Sequence, residues 1–255
     1  MGVVDDAGAG RIAVAGGTGL VGRHVVAAVT AAGREPVVLA RATGVDLVTG
    51  AGLDEAMRGV QVVIDVSNIG TSRRRASVDF FSAATSSLLA AGRRAGVRHH
   101  VALSIVGVDR VDSGYYAGKR EQERLVLSSG GAVSVLRATQ FHEFVDQVLA
   151  LSRGPVAPVP SMRTQPVAAR EVAAALVELA VGPAVGQAPE LAGPEVHSLP
   201  DLARRLLRSR GERRFVLPLR APVAASRAAA GGALLPTEPG PRGTQTFDQW
   251  LAARA

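Results

Sequence analysis

Tyr115, Tyr116 and Lys119 stand within five consecutive residues, and the chain contains no other tyrosine or lysine. Of its 29 strongly basic side chains, only Lys119 is not an arginine. Residues four apart on a helix share a face, so Tyr115 and Lys119 can point the same way, and Tyr116, three before the lysine, is not excluded. A phenol of pKa about 10 is a weak base at neutral pH, and a fixed ammonium beside it favours the phenolate. In a chain that otherwise writes positive charge as arginine, a lone lysine at this spacing suggests a position that requires lysine, the alternative being a chance residue on a solvated helix face. The spacing predicts proton transfer through Tyr115, with Tyr116 as the alternative. Ser104, eleven residues upstream, could hold a carbonyl against the phenol or simply cap a strand end.

These side chains need a scaffold, and the sequence supplies one. The segment RIAVAGGTGLVGRHVVAAVTAAG reads as strand, glycine turn and helix: an apolar run at Ile12 to Ala15, then Leu20, Val21, Val25, Val26 and Val29 at helical spacing until Gly33. EPVVLAR is a second strand, VDLV a short third, GLDEAMRG a short helix, and VQVVIDVSN a fourth strand apolar enough to be buried on both faces. A helix over 77–95, the strand RHHVALSIVG, a helix over YYAGKREQERLVLSSG and the strand AVSVLRA follow. Strands alternating with helices predict an α/β fold, a doubly wound parallel sheet that binds ligands along one edge.

The turn Gly16-Gly17-Thr18-Gly19-Leu20-Val21-Gly22 is a GxxGxxG between strand and helix. Gly16 permits the tight turn, Gly19 a close backbone approach to a pyrophosphate, and Gly22 close helix packing, while the helix N-terminus offers free N–H donors. A compact ammonium at Lys119 then suits the two ribose hydroxyls of a nicotinamide nucleotide better than an arginine fork. The second strand ends Leu39-Ala40-Arg41 with no acid for an adenosine ribose. Arg41, and with it Arg23, could pair with a 2′-phosphate, which favours NADP(H) over NAD(H), although an ordinary surface arginine reads the same way.

Composition bounds the rest. A chain of 255 residues, 47% hydrophobic, fits a dinucleotide-binding core over 1–152 with a smaller lobe over 153–255, where prolines 155, 158, 160 and 166 break the texture. No cysteine is present, so disulfides and thiolate metal sites are excluded. MGVVDDAGAG lacks the basic start and apolar middle of a signal peptide, and no run is long enough to span a bilayer, which predicts a cytoplasmic protein without a membrane partner. The net charge of +7 raises nucleic acid as a partner, with RRR at 73–75 and RRLLRSRGERR at 204–214 as patches. Aromatics are only 4%, too few for base stacking, and Leu206 and Leu207 read as the buried side of an amphipathic helix, so a small-molecule substrate is favoured. His142 and Glu143 do not form a metal set with His99 and His100, because neighbours on a strand face opposite ways. His142 reads equally as a hydrogen-bonder to substrate and as a structural histidine.

At these motifs the sequence resembles the short-chain dehydrogenase/reductases, specifically their atypical, NmrA-like branch. The likeness runs through GGTGLVG at 16–22, Asp46-Leu47, Ser67-Asn68, SIVG at 104–107, YYAGK at 115–119, RATQFHEF at 137–144, LAGPE at 191–195 and TFDQWLA near the end. It implies a catalytic Ser104, Tyr115 and Lys119, Asp46 near the adenine, and Tyr116, Thr139, Gln140, Phe141 and His142 about the nicotinamide and substrate. Ala138 stands where relatives often carry proline, and the doubled tyrosine leaves two candidate acids. The resemblance implies an NADPH-dependent oxidoreductase acting on a small carbonyl, enone or quinone, or alternatively a regulatory protein that senses the dinucleotide without turning it over.

Overall fold

The computed structural model describes residues 10–220 and 223–254. The stretch 1–9, most of the segment read above as unlike a signal peptide, lies outside them. In chain order the elements are β1 (Arg11–Ala15), α1 (Leu20–Ala31), β2 (Glu35–Leu39), a 3-10 turn (Arg41–Thr43), α2 (Leu53–Ala56), β3 (Val60–Asp65), α3 (Arg74–Ala95), β4 (His99–Ile105), α4 (Gly114–Leu127) and β5 (Val133–Ala138). There follow α5 (Phe144–Ala150), β6 (Val156–Pro160), β7 (Arg163–Thr164), α6 (Ala169–Val181), β8 (Gly186–Gln187), β9 (His197–Ser198), α7 (Leu199–Ser209), β10 (Phe215–Leu219), α8 (Ala224–Ala230) and α9 (Phe247–Ala252).

Six strands form one parallel sheet in the order β2-β1-β3-β4-β5-β8. The chain runs outward from β1 to β2 and then returns to the other side for β3, so the strand order reverses between β1 and β3. Such a switch point opens a crevice at the carboxyl ends of the strands. Val14, Ile64 and Val101 bury with Val21, Val25 and Val29 of α1 and Val172, Ala173 and Leu176 of α6 on one face. On the other face Ala13, Ala15 and Val63 pack with Leu88 and Ala91 of α3, and α4 lies against α3.

The expected doubly wound parallel sheet is present, with one local correction. VDLV is not a strand: Asp46 Oδ1 accepts the backbone N–H groups of Val48 at 2.8 Å and Thr49 at 3.0 Å, folding 45–51 into a tight loop. A side-chain acceptor offered two residues back competes with the ladder for those amides and wins. Beyond residue 152 the chain serves two cores. α6 and β8 join the sheet layer, whereas β6, α7, β10, α8 and α9 surround a second cluster that includes Leu202, Leu206, Phe247 and Trp250. The arginine-rich stretches meet carboxylates: Arg74 with Asp112, Arg75 with Asp79, Arg204 with Asp201, Arg205 with Asp248 and Arg210 with Asp146. Leu206 and Leu207 are buried as the amphipathic pattern of α7 requires. No helix among the described residues is long and apolar enough to cross a membrane.

Candidate functional site

A cleft of about 860 Å³ runs along the carboxyl edge of the sheet. Its floor at one end is the glycine turn. Gly16 has φ +79°, a left-handed conformation natural to glycine, and a Cβ there would come within 2.9 Å of Ser67 Cα. A Cβ on Gly19 would meet only the Gly16 carbonyl oxygen, at 3.2 Å, so that side of the turn is a cradle that any larger residue would fill. α1 begins with Gly19 as its N-cap, no side chain caps it, and its first turn carries no acid. Its terminal N–H groups are therefore left to an anion. This donor set fits a dinucleotide's pyrophosphate. Gly22 lies beneath the cleft and does not line it; a Cβ there would collide with the Gly16 carbonyl and stand 2.6 Å from Gly17 Cα.

Arg41, Asp46 and Leu47 line the end of the cleft beyond β2, and Arg41 is exposed. Arg23 is exposed but does not line it. Backbone donors from Thr49 and Val48 hold the Asp46 carboxyl below the usual carboxylate range. The carboxylate is thus already engaged by its own loop. Ser67 and Asn68, after β3, line the middle, and the Ser67 hydroxyl is buried without a partner.

Ser104, Tyr115, Tyr116, Lys119, Thr139, Gln140 and Phe141 line the other end. Ser113 caps α4 by accepting the Tyr116 N–H at 3.3 Å, which places both tyrosines in the first turn. The Tyr115 hydroxyl donates to Asn68 Oδ1 at 2.7 Å. Burial raises both phenols, Tyr116 to about 12 and Tyr115 further, with Tyr116 beside Tyr115 adding to its rise. The lysine was expected to lower Tyr115, and here it does not. Its ammonium points under the cleft floor, donating to the Leu103 carbonyl at 2.6 Å and to Gln122 Oε1, and lies 4.8 Å from the centre of the Phe81 ring. Desolvation brings Lys119 down to about 8, against the opposing pull of Asp65 and Glu123. The Ser104 hydroxyl is buried and has no partner, so it caps nothing.

Thr139 gives its hydroxyl to the Gln165 carbonyl at 2.6 Å, and Thr164 donates to Gln140 Oε1 at 2.9 Å. His142 departs from the expected substrate role. It is fully buried, does not line the cleft, shares its Nε2 with the Gln245 carbonyl at 3.2 Å, and packs on Phe247 and Trp250. The chain turns at His142 and Glu143, with the Phe144 N–H donating back to the Phe141 carbonyl at 3.0 Å, and the imidazole lies in the second core instead of the cleft.

Sequence reasoning missed a buried group beneath the site. Gln122 Nε2 donates to Asp65 Oδ2 at 2.7 Å, and Asp65 Oδ1 accepts the Ser67 N–H at 2.9 Å. A carboxylate inside the apolar run VVIDV was the available signal, since a buried charge needs a partner. Phe80 of α3 and Phe144 of α5 also stand on the cleft wall, and neither was named as a site residue from the sequence. Among the described residues no group of three or more His, Asp or Glu side chains could hold a metal ion.

No family model matches the sequence. Two curated proteins do. The (4-alkanoyl-5-oxo-2,5-dihydrofuran-3-yl)methyl phosphate reductase of Streptomyces griseus is 36% identical over 144 residues, covering 51% of this chain and 48% of that protein. The ceramide reductase of Caulobacter vibrioides is 30% identical over 203 residues, covering 69% and 63%. The chain therefore spans about half to two thirds of the length of these relatives. Among solved structures, MoeE5 in complex with UDP-glucose and NAD superposes with TM-score 0.73 at 19% identity, over 95% of this chain and 96% of that one. The NADPH-dependent quinone oxidoreductase of Escherichia coli gives 0.67 at 17%, over 95% and 99%. At such identities the likeness is one of fold, and the fold is the Rossmann α/β sheet of nicotinamide-nucleotide reductases and sugar epimerases.

Proposed function

We propose that this protein is an NADP(H)-dependent oxidoreductase that reduces a small carbonyl, enone or quinone. The observation that carries the reading is the pairing of two features in one cleft: an uncapped glycine-turn cradle at one end, and Tyr115 with the orphaned Ser104 hydroxyl at the other. The turn over 16–22 would hold the pyrophosphate, Arg41 and Asp46-Leu47 the adenosine side, and Ser67, Asn68 and Lys119 the nicotinamide side. Arg41 supports the 2′-phosphate form, being the only guanidinium that lines that end among the described residues.

A nicotinamide held there would supply a hydride, and with it the two electrons that the substrate carbon gains. Ser104 Oγ donates to the substrate oxygen and orients it. Tyr115 delivers its proton to that oxygen as the charge develops, leaving a neutral alcohol, and is reprotonated from solvent. A phenol raised by burial, already donating to Asn68, suits this direction better than alcohol oxidation, which needs a base. Two reductases among the curated relatives agree with it.

A second reading, a regulatory protein that senses the dinucleotide, draws support from Lys119, whose ammonium is engaged inward. NADPH oxidation over a panel of aldehydes, enones and quinones separates the two. Oxidoreductase function predicts turnover, with kcat/KM falling roughly 10² to 10⁴-fold in Tyr115→Phe while NADPH affinity is unchanged. NADPH binding without oxidation across the panel, indifferent to Tyr115→Phe, selects the sensor.

A further inference from the structure

Resting on that reading, we infer that the open end of the cleft takes an uncharged, largely apolar carbonyl compound and turns away those bearing phosphate or carboxylate. The wall there is built from rings: Phe80, Tyr115, Tyr116, Phe141 and Phe144. Among the described residues only three charged side chains line the whole cleft: Arg41, Asp46 and Lys119. Arg41 and Asp46 follow β2. The sheet order places β2 three strand intervals from β4, about 14 Å away at roughly 4.8 Å each. Lys119 is 4% exposed, and its donors go to Leu103 and Gln122.

An anion brought against the rings would therefore surrender its water with no guanidinium or free ammonium in exchange. That desolvation outweighs what neutral donors return. An uncharged oxygen is a different matter. Gln140 Nε2 and Ser104 Oγ are buried on the cleft wall without acceptors, and the Thr164 hydroxyl pins the Gln140 amide by its other end. Two unpaired donors on residues of a wall otherwise built from rings favour a ligand that brings an uncharged acceptor oxygen on a hydrocarbon body.

The test compares 2-naphthaldehyde with 6-formyl-2-naphthoate, the same ring carrying a carboxylate, by equilibrium titration of the full chain with and without saturating NADP⁺. The neutral aldehyde is expected to bind at least about tenfold more tightly, the factor one unpaired ionic contact is worth. Gln147→Arg adds a cation on the exposed, cleft-lining side of α5 and is expected to tighten only the carboxylate, narrowing the gap about tenfold. Equal or tighter binding of the carboxylate by the unmodified protein overturns the inference. So does failure of both aldehydes to bind, or a Gln147→Arg variant that leaves the ratio unchanged. Preference for the neutral aldehyde in a protein that ignores NADP⁺ would uphold this inference while removing the cofactor reading.

Discussion

The ammonium of Lys119 has given up almost all of its water for the Leu103 carbonyl, the Gln122 amide oxygen and the face of Phe81. The exchange is incomplete, and burial lowers its pKa to about 8. In the unfolded chain the same amine titrates near 10.4, roughly the free value. Between those values the unfolded chain holds a proton that the folded one has shed, so stability rises with pH across the window. The contribution is fully present above about 10.4 and is lost as pH falls through about 8. The urea stability of the wild type minus that of Lys119→Gln should increase by about 2 kcal/mol between pH 8 and pH 10. A pH-independent difference would mean that the amine is solvated. Being the only lysine, Lys119 also offers a single ε-resonance for direct titration. Spacing and rarity singled the residue out in the sequence, but its partners were not legible there. Asp65 reaches it through Gln122 from a strand 54 residues upstream, and contacts over such separations leave no periodic trace in sequence.

Helix α4, which places Tyr115 on the cleft wall, lies very close to α3, and Gly118 allows that distance. A Cβ on Gly118 would strike Ser77 Oγ, stand 2.6 Å from the Ser77 carbonyl oxygen and 2.7 Å from Phe81 Cδ2. Ser77 in turn donates its hydroxyl to the Tyr115 carbonyl at 2.9 Å, so the two helices are tied where they touch. Alanine would gain up to about 1 kcal/mol of helix propensity. The backbone carbonyl cannot move cheaply, and overpacking costs about 1–3 kcal/mol. Gly118→Ala should therefore lower the urea midpoint and weaken NADPH binding together, whereas Gly131→Ala, outside the cleft and with only Ser129 Oγ near its Cβ at 3.9 Å, should leave both in place. An unchanged midpoint in Gly118→Ala would refute the close-packing role. The strands and helices of the sheet layer were readable because apolar periodicity follows from burial on two faces. The glycine inside Tyr-x-x-x-Lys was not, since a close helix crossing shows in sequence only as a small residue among others. VDLV failed for the opposite reason: a four-residue apolar alternation resembles a strand, and the local reach of the Asp46 carboxylate decided against it.

At the scale of the molecule, the change of texture after Ala150 hides how tightly the last hundred residues hold to the sheet. Glu171, in the first turn of α6, accepts the Thr244 N–H and hydroxyl at 2.8 Å each and the Gln245 N–H at 3.1 Å. Gln245 passes its carbonyl to His142, whose ring packs on Phe247 and Trp250, the only tryptophan of the chain. One carboxylate thereby fastens the C-terminal segment to a helix of the sheet layer. Burial pushes this carboxyl up, but the donors from Thr244 and Gln245 outweigh it and hold it below the usual glutamate range. A carboxyl lowered in the folded state adds stability above its unfolded pKa of about 4.3, and that addition is lost as pH falls through the lower folded value. Glu171→Ala is therefore expected to cost about 1–3 kcal/mol at pH 7 and less below pH 4, with Glu171→Gln, which keeps an acceptor oxygen, in between. If sheet and lobe unfold as one unit, Trp250 fluorescence and far-UV circular dichroism will report the same urea midpoint in the wild type and shift together in Glu171→Ala. Separate midpoints, with only the fluorescence transition moved by the substitution, would show that the lobe unfolds on its own and that the cleft loses its C-terminal support before the sheet does.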